Sequence, residues 1–309
     1  MRSAAGGESS VVSGEMRALA RSADHSQRSV VVSAFSGEGD GGLAVLDEGG
    51  FSIVDRHAGR GLTEIDGVMV RIVREEPTDG EFDSTWCLSV VTDDGQAGEV
   101  LTGSSDLEDI CCVDDGLLIS TGTQGEVLRL SASELRSSIA TGSASELLPE
   151  VVARVDGAIR GLVVDRESVA ATVSRWSNGA SSGALIDVTT GAVLVADLAD
   201  PMAAGRWRDR WVITDLSTNA LVIVDGANRT SVPLGGLGRG VLVHEDLAFV
   251  AVGRPAVLRR PEDRSRYRIV VVDLPRASIL GEQIVPLSRL YTIRSVSSAA
   301  LSMLAKETE

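Results

Sequence analysis

The most constraining feature of this 309-residue chain is a short apolar run that turns back at an acidic corner and recurs along most of its length. It is clearest at 238–252. There Gly238-Arg239-Gly240-Val241-Leu242-Val243-His244 meets Glu245-Asp246 and continues as Leu247-Ala248-Phe249-Val250-Ala251-Val252. Short runs of β-branched and aliphatic residues bounded by Gly and Asp read as paired antiparallel strands. The same unit is legible from Arg60 through Asp66-Gly67 to Val70, and from Asp109 through Asp114-Asp115-Gly116 to Ile119. It returns from Arg160 through Asp165 to Ala171, and from Arg206 through Asp209-Arg210 to Ile213.

Spacing selects the architecture. With Arg60, Asp109, Arg160, Ala203, Arg239 and Arg294 taken as the openings of successive units, the intervals are 49, 51, 43, 36 and 55 residues. A four-stranded propeller blade takes roughly 40–50 residues. Five full units and two complementary fragments, residues 30–55 and the strand around Arg294, predict an all-β, six-bladed β-propeller. The N-terminal strands would close it by pairing with the C-terminal strand, which leaves no long sheet edge exposed. Only ten residues are aromatic, so Val, Leu, Ile and Ala must fill the core, a bias that suits strands. The excursion at 131–148 is the best helical candidate. Residues 28–300 therefore read as one propeller domain, with a loose tail at 1–27 and a C-terminal tail at 301–309.

A formal net charge of -15 argues against nucleic acid or an anionic membrane surface as partner, because both demand a concentrated basic face. The three cysteines, Cys87, Cys111 and Cys112, lack metal-ligand spacing and read as buried thiols. No apolar run reaches the ~18 residues that span a bilayer, and residues 1–27 lack the apolar segment of a secretory signal. The expectation is a cytoplasmic protein.

Candidate chemistry gathers at the unit openings. The innermost strand of each blade lines the central channel, and four of the six opening residues are arginine: Arg60, Arg160, Arg239 and Arg294. Guanidiniums crowded in low dielectric must be compensated. Glu108, Asp109 and Glu64 could do this internally. A bound anionic or sugar-like metabolite could also do it, since the planar fork suits carboxylate, sulfate or phosphate. In the second case the four arginines hold the ligand and Glu108 or Asp109 serves as a base. Loops between second and third strands belong to the same rim; they bring Trp176 as a stacking surface and Arg254 as a further cation. No histidine has a ligand partner at motif spacing, and neither a nucleophile elbow nor a phosphate-binding loop is present, so no metal or cofactor is expected. Two functional classes follow: a small-molecule site that could host cofactor-free isomerase, lyase or cyclase chemistry, or a non-catalytic scaffold that docks a biosynthetic partner enzyme.

Several segments carry a resemblance. They are Asp106-Leu107-Glu108-Asp109-Ile110 with Leu117-Leu118-Ile119-Ser120-Thr121, Gly183-Ala184-Leu185-Ile186-Asp187-Val188, Arg206-Trp207 with Trp211-Val212-Ile213-Thr214-Asp215, and Arg239-Gly240 with Ala248-Phe249-Val250 and Gly253-Arg254-Pro255. Over about 100–260 the chain resembles an uncharacterised bacterial propeller family found beside sugar- and methyl-transferring enzymes. The resemblance implies the propeller fold and a place in biosynthesis. Where that family tends to place histidines before Gly-Leu and before Arg-Trp, this chain has Ile159-Arg160 and Ala203-Ala204-Gly205, so no catalytic histidine is carried over.

Overall fold

A computed structural model describes residues 14–35, 41–65, 67–74, 86–91, 97–100, 106–114, 116–140, 147, 149–166, 168–177, 179–253 and 267–301. After helix α1 (Gly14–His25), strands β1 (Arg28–Ala34), β2 (Gly42–Asp47) and β3 (Gly50–Asp55) form an antiparallel meander. The second sheet holds β4 (Gly59–Ile65), β5 (Val68–Arg74), β6 (Trp86–Val91) and β7 (Ala97–Val100). The third holds β8 (Leu107–Val113), β9 (Gly116–Thr121), β10 (Glu126–Ser131) and, beyond helix α2 (Ala132–Ala140), β11 (Glu150–Arg154). The fourth runs β12 (Ala158–Asp165), β13 (Ser168–Ser177), β14 (Ala180–Asp187), β15 (Val193–Leu198). The fifth runs β16 (Pro201–Trp207), β17 (Arg210–Asp215), β18 (Ala220–Asp225), β19 (Asn228–Pro233). The sixth runs β20 (Leu237–His244), β21 (Leu247–Gly253), β22 (Arg268–Asp273), β23 (Ser278–Ile284). Last, β24 (Leu290–Ser297) pairs with β1 and completes the first sheet in the order β24-β1-β2-β3.

Six four-stranded sheets thus form a six-bladed propeller. The innermost strands β4, β8, β12, β16, β20 and β24 pack neighbour against neighbour and close the ring. Alternation along each inner and second strand buries one apolar set against the next blade. Ile110, Ile119, Val70, Leu88 and Leu130, for example, share one cluster between blades 2 and 3. Outer strands are wetter, and β19 is exposed at all but Val232.

Two helices decorate the ring. In α2 the hydroxyl of Ser131 accepts from Glu134 N at 3.1 Å while Glu134 Oε2 accepts from Ser131 N at 3.1 Å, a reciprocal N-terminal cap inside the segment expected to be helical. The other helix corrects the expectation of a loose tail. Met16, Leu19, Ala20 and Ala23 recur at helical spacing and are buried with Val30, Val32, Phe249 and Val271, so α1 covers the seam of blades 1 and 6. Its buried stripe is half alanine, which gives little apolar signal in a polar stretch. Among the described residues no helix is long and apolar enough to cross a membrane.

One irregularity recurs in every blade. The inner strand carries one residue more than its partner at the same height. The shifts fall between Gly59 and Leu62, Leu107 and Ile110, Ile159 and Gly161, Pro201 and Ala204, Gly238 and Gly240, and at Leu290–Thr292 opposite Ser33–Ala34. Bulges of this kind bend a strand and re-aim a side chain. Six in a ring set the residues described next.

Candidate functional site at the channel mouth

The bulges fix the register between blades. Gly61, Gly161 and Gly240 each lie against the next inner strand, and an added Cβ would come within 2.9 Å of Asp109 Cα, 2.6 Å of Met202 O and 2.7 Å of Thr292 Cα respectively. The residues one place earlier are therefore equivalent: Arg60, Glu108, Arg160, Met202, Arg239 and Tyr291. This corrects the sequence register, which set Asp109, Ala203 and Arg294 beside Arg60. The first two are displaced by one residue and the third by three. Periodicity locates a strand but does not place a bulge, and a one-residue slip turns a side chain to the other face.

Five of those six side chains meet, although they come from five different blades, so they meet on the channel axis. Arg60 Nη1 donates to Glu108 Oε2 at 2.6 Å and to Leu107 O at 2.7 Å. Tyr291 donates its phenol proton to Glu108 Oε1, and Arg160 Nη1 lies 3.6 Å from that same oxygen. The Arg239 guanidinium stacks over the Tyr291 ring at 5.8 Å. Aromatic faces hold Arg60 from outside: its guanidinium carbon is 4.0 Å from the Trp86 ring centre and 5.7 Å from that of Phe35. Burial, and then the neighbouring Glu108 carboxylate, push the Tyr291 phenol far above its ordinary range, so it stays a proton donor.

Charge in this ring is unbalanced. Glu108 is the ring's buried carboxylate, with its side chain only 6% exposed; Arg60 and Arg160 face it, and Arg239 lies over the Tyr291 ring that donates to it. Asp106 adds partial compensation 3.7 Å from Arg60, but its carboxylate is also engaged by the Thr123 hydroxyl at 2.6 Å. Arg160 retains 29% side-chain exposure. Among the described residues Arg239 has no carboxylate partner.

Arg294 and Asp109 form a separate tie. Asp109 Oδ2 accepts from Leu162 N at 2.9 Å and from Arg294 Nη2 at 3.1 Å. A single carboxylate thereby joins blades 1, 3 and 4. Glu64, the other carboxylate considered as compensation, instead accepts from Ser297 N at 2.6 Å. Trp176 stands 64% exposed near the tip of the β13–β14 hairpin, on the rim and outside the ring. Arg254 lies outside the described residues, as do Asp66 and Asp115. His57 sits in the turn after β3, its Nδ1 2.8 Å from Asp55 Oδ1. No group of three or more His, Cys, Asp or Glu suited to a metal occurs among the described residues.

Sequence reasoning misses Tyr291, Trp86, Phe35 and Met202. Tyr291 was recoverable: it is one of only two tyrosines and lies at the start of the closing strand, where the bulge register puts it level with Arg60. Trp86 and Phe35 had no such signal, since they belong to second- and third-strand ends that meet only once the ring closes.

No known family profile matches the chain, and neither does any curated protein sequence. Among solved structures the chain is similar to one in the crystal structure of a nidogen/laminin complex. Identity there is 12%, with 88% of this chain and 99% of that chain covered at a TM-score of 0.63, a likeness of fold alone. A chain of the dihydro-heme d1 dehydrogenase NirN in complex with DHE aligns over 89% of this chain and 58% of its own length, at 13% identity and a TM-score of 0.43; at that score it carries no argument.

Proposed function

We propose that the protein binds a small anionic or sugar-like metabolite at the bulge-ring mouth of its channel. The observation that supports this most is the charge of the ring: three guanidiniums drawn from three blades against one buried carboxylate, in a chain that is strongly acidic overall. Repulsion among partly desolvated cations is costly, and an anion seated on them relieves it. Arg60 is locked by Glu108 and the aromatics, so Arg160, paired with Glu108 only at 3.6 Å, and Arg239, stacked on Tyr291, are the cations left to engage a ligand. Where turnover occurs, the reaction class that needs no cofactor is isomerisation, elimination or cyclisation, with Glu108 receiving the proton.

Thermal unfolding against a panel of carboxylates, sugar phosphates, sulfate and neutral sugars tests the reading. A ligand at ~100 times its Kd adds about 2.7 kcal/mol of stability, a visible rise in Tm. The expected result is a selective rise that an Arg160→Ala/Arg239→Ala chain loses. A rise that persists in that chain would move the site away from the ring.

The second reading is a scaffold that docks a partner enzyme. It draws on the apolar residues exposed along outer strands, Val151 and Val152 of β11, Val193 and Leu194 of β15, and Ile279, Leu280 and Ile284 of β23. A panel without any shift, together with stoichiometric copurification of one protein, favours it.

A further inference from the structure

We infer that the ligand is an acidic oligosaccharide: its carboxylate seats on Arg160 and Arg239, and a sugar ring further along the chain stacks on Trp176. The inference rests on the channel-mouth reading and adds a second subsite to it.

The β13–β14 hairpin reaches past the ring. Among the described residues β13 has ten residues, against six or seven in the second strand of every other blade. Its outermost pair with the inner strand is Ser174 with Ala158. Arg175, Trp176 and Ser177 therefore stand beyond the start of β12 as an arm paired only with β14. The arm leans toward blade 5. Alternate residues of a strand share a face, and the pairing of β13 with β14 runs without a shift from Ala170 to Ser177. On one face Thr172 donates to Met202 O and Ser174 to Asp200 Oδ1, both at 2.8 Å, and Trp176 comes next. Ser181, directly opposite Trp176, shares a hydrogen bond of 2.9 Å with Ser217 in the turn between β17 and β18. Arg175 is turned the other way and donates to Asp156 O.

What the arm carries indicates its use. Trp86, Trp207 and Trp211 are buried, and Trp176 alone of the four tryptophans is exposed. On an extension that no other described blade has, that indole adds nothing to the core. Its face is apolar, and the hydroxyls of Ser181 and Ser217 beside it donate as well as accept. A sugar ring matches this pairing, with a C–H face for the indole and hydroxyls at its edge, as sites that combine an aromatic wall with a few polar groups require. Distance then sets the length of the ligand. Trp176 stands four residues along β13 from Thr172, the partner of Gly161 beside Arg160, which is roughly 13 Å of extended strand. One sugar ring does not span that distance from guanidinium to indole; a short chain of linked rings does.

Calorimetric titration of the full chain with gluconate, cellobionate, cellotrionate, neutral cellotriose and adenosine monophosphate tests this. Cellotrionate is expected to bind about tenfold more tightly than gluconate, the gain from covering one indole face, and more tightly than cellotriose. It should also shift tryptophan emission to the blue where gluconate does not. Trp176→Ala, an exposed change that should leave Tm unaltered, is expected to bring cellotrionate down to the affinity of gluconate, and Arg160→Ala/Arg239→Ala to lose both acids. Cellotrionate no tighter than gluconate, or a gain that survives in Trp176→Ala, overturns the subsite and leaves the anion site standing. Adenosine monophosphate bound through Trp176 more tightly than cellotrionate overturns the sugar and makes the indole a platform for an aromatic base. Cellotriose as tight as cellotrionate overturns the acid and the channel-mouth reading with it. No binding of any of the five overturns both.

Discussion

Asp109 shows how one carboxylate becomes a joint in the ring. Burial pushes its carboxyl above the usual range, and Arg294, Leu162 N and Ile110 N pull it back. Two of those partners come from blades 1 and 4, so the charge is kept at the cost of fixing three inner strands relative to one another. The contact also needs Gly61, because a Cβ there would stand 2.8 Å from Asp109 Oδ1. Replacing Arg294 by Met removes the compensating cation and leaves a buried charge, a change that typically costs about 3–5 kcal/mol. The sign with pH follows from the raised carboxyl. With Arg294 gone, the folded chain holds the Asp109 proton well above the ~3.9 at which it leaves the unfolded chain. Through that window the folded state binds more protons, so stability falls as pH rises. Urea unfolding of Arg294→Met should therefore show a larger deficit at about pH 8 than at about pH 5. An equal deficit at both would mean that Asp109 is not the group left unpaired.

At the scale of the strand, the bulges are held by hydroxyls one strand further out. Ser120 Oγ accepts from Asp109 N at 3.0 Å and Thr214 Oγ1 accepts from Ala203 N at 3.0 Å, each inside its own blade. Ser33 and Thr172 donate instead to the bulge carbonyl of the next blade, Arg60 O and Met202 O, the latter at 2.8 Å. Valine has the shape of threonine without the donor, so Thr172→Val strands the buried Met202 carbonyl. Such a loss costs about 1–3 kcal/mol. It should appear as a lower urea midpoint with an unchanged slope; a changed slope would mean that the two blades had separated. These hydroxyls also show where the sequence stops being legible. Apolar alternation and Gly-Asp corners announce the strands of most blades, since one face of each must be buried. Ser120, Thr172 and Thr214 stand inside those apolar runs as the only sign of a bulge opposite, and without them Asp109 and Ala203 are taken for ring residues in place of Glu108 and Met202. Arg60, Arg160 and Arg239 are placed by sequence because each is followed by the glycine that the close approach of the next blade requires.

Across the whole molecule, closure depends on a strand that joins the ring last in sequence and sits innermost in space. β24 pairs along the full length of β1 and seats against β20 and β4 on either side. The six-unit spacing foretold this pairing, because the fragments at the two ends of the chain complete one blade only if they meet. The contribution of α1 at the same seam was not foretold. Removing β24 by ending the chain at 287 has two separable consequences. It uncovers the edge of β1, whose Val30, Val31 and Val32 are otherwise wholly buried, and an apolar unpaired edge is a template for pairing with another chain. It also deprives Glu108 of Tyr291 and Asp109 of Arg294. A full-length Tyr291→Phe/Arg294→Met chain suffers only the second loss. The shortened chain is expected to elute from size-exclusion chromatography as large assemblies without a cooperative thermal transition. The doubly substituted chain should elute as the unaltered protein does and melt cooperatively at a lower temperature. If both behave alike, the ring is held shut by the polar ties at its mouth; if they differ as stated, the β24–β1 ladder closes it and the ties serve the site.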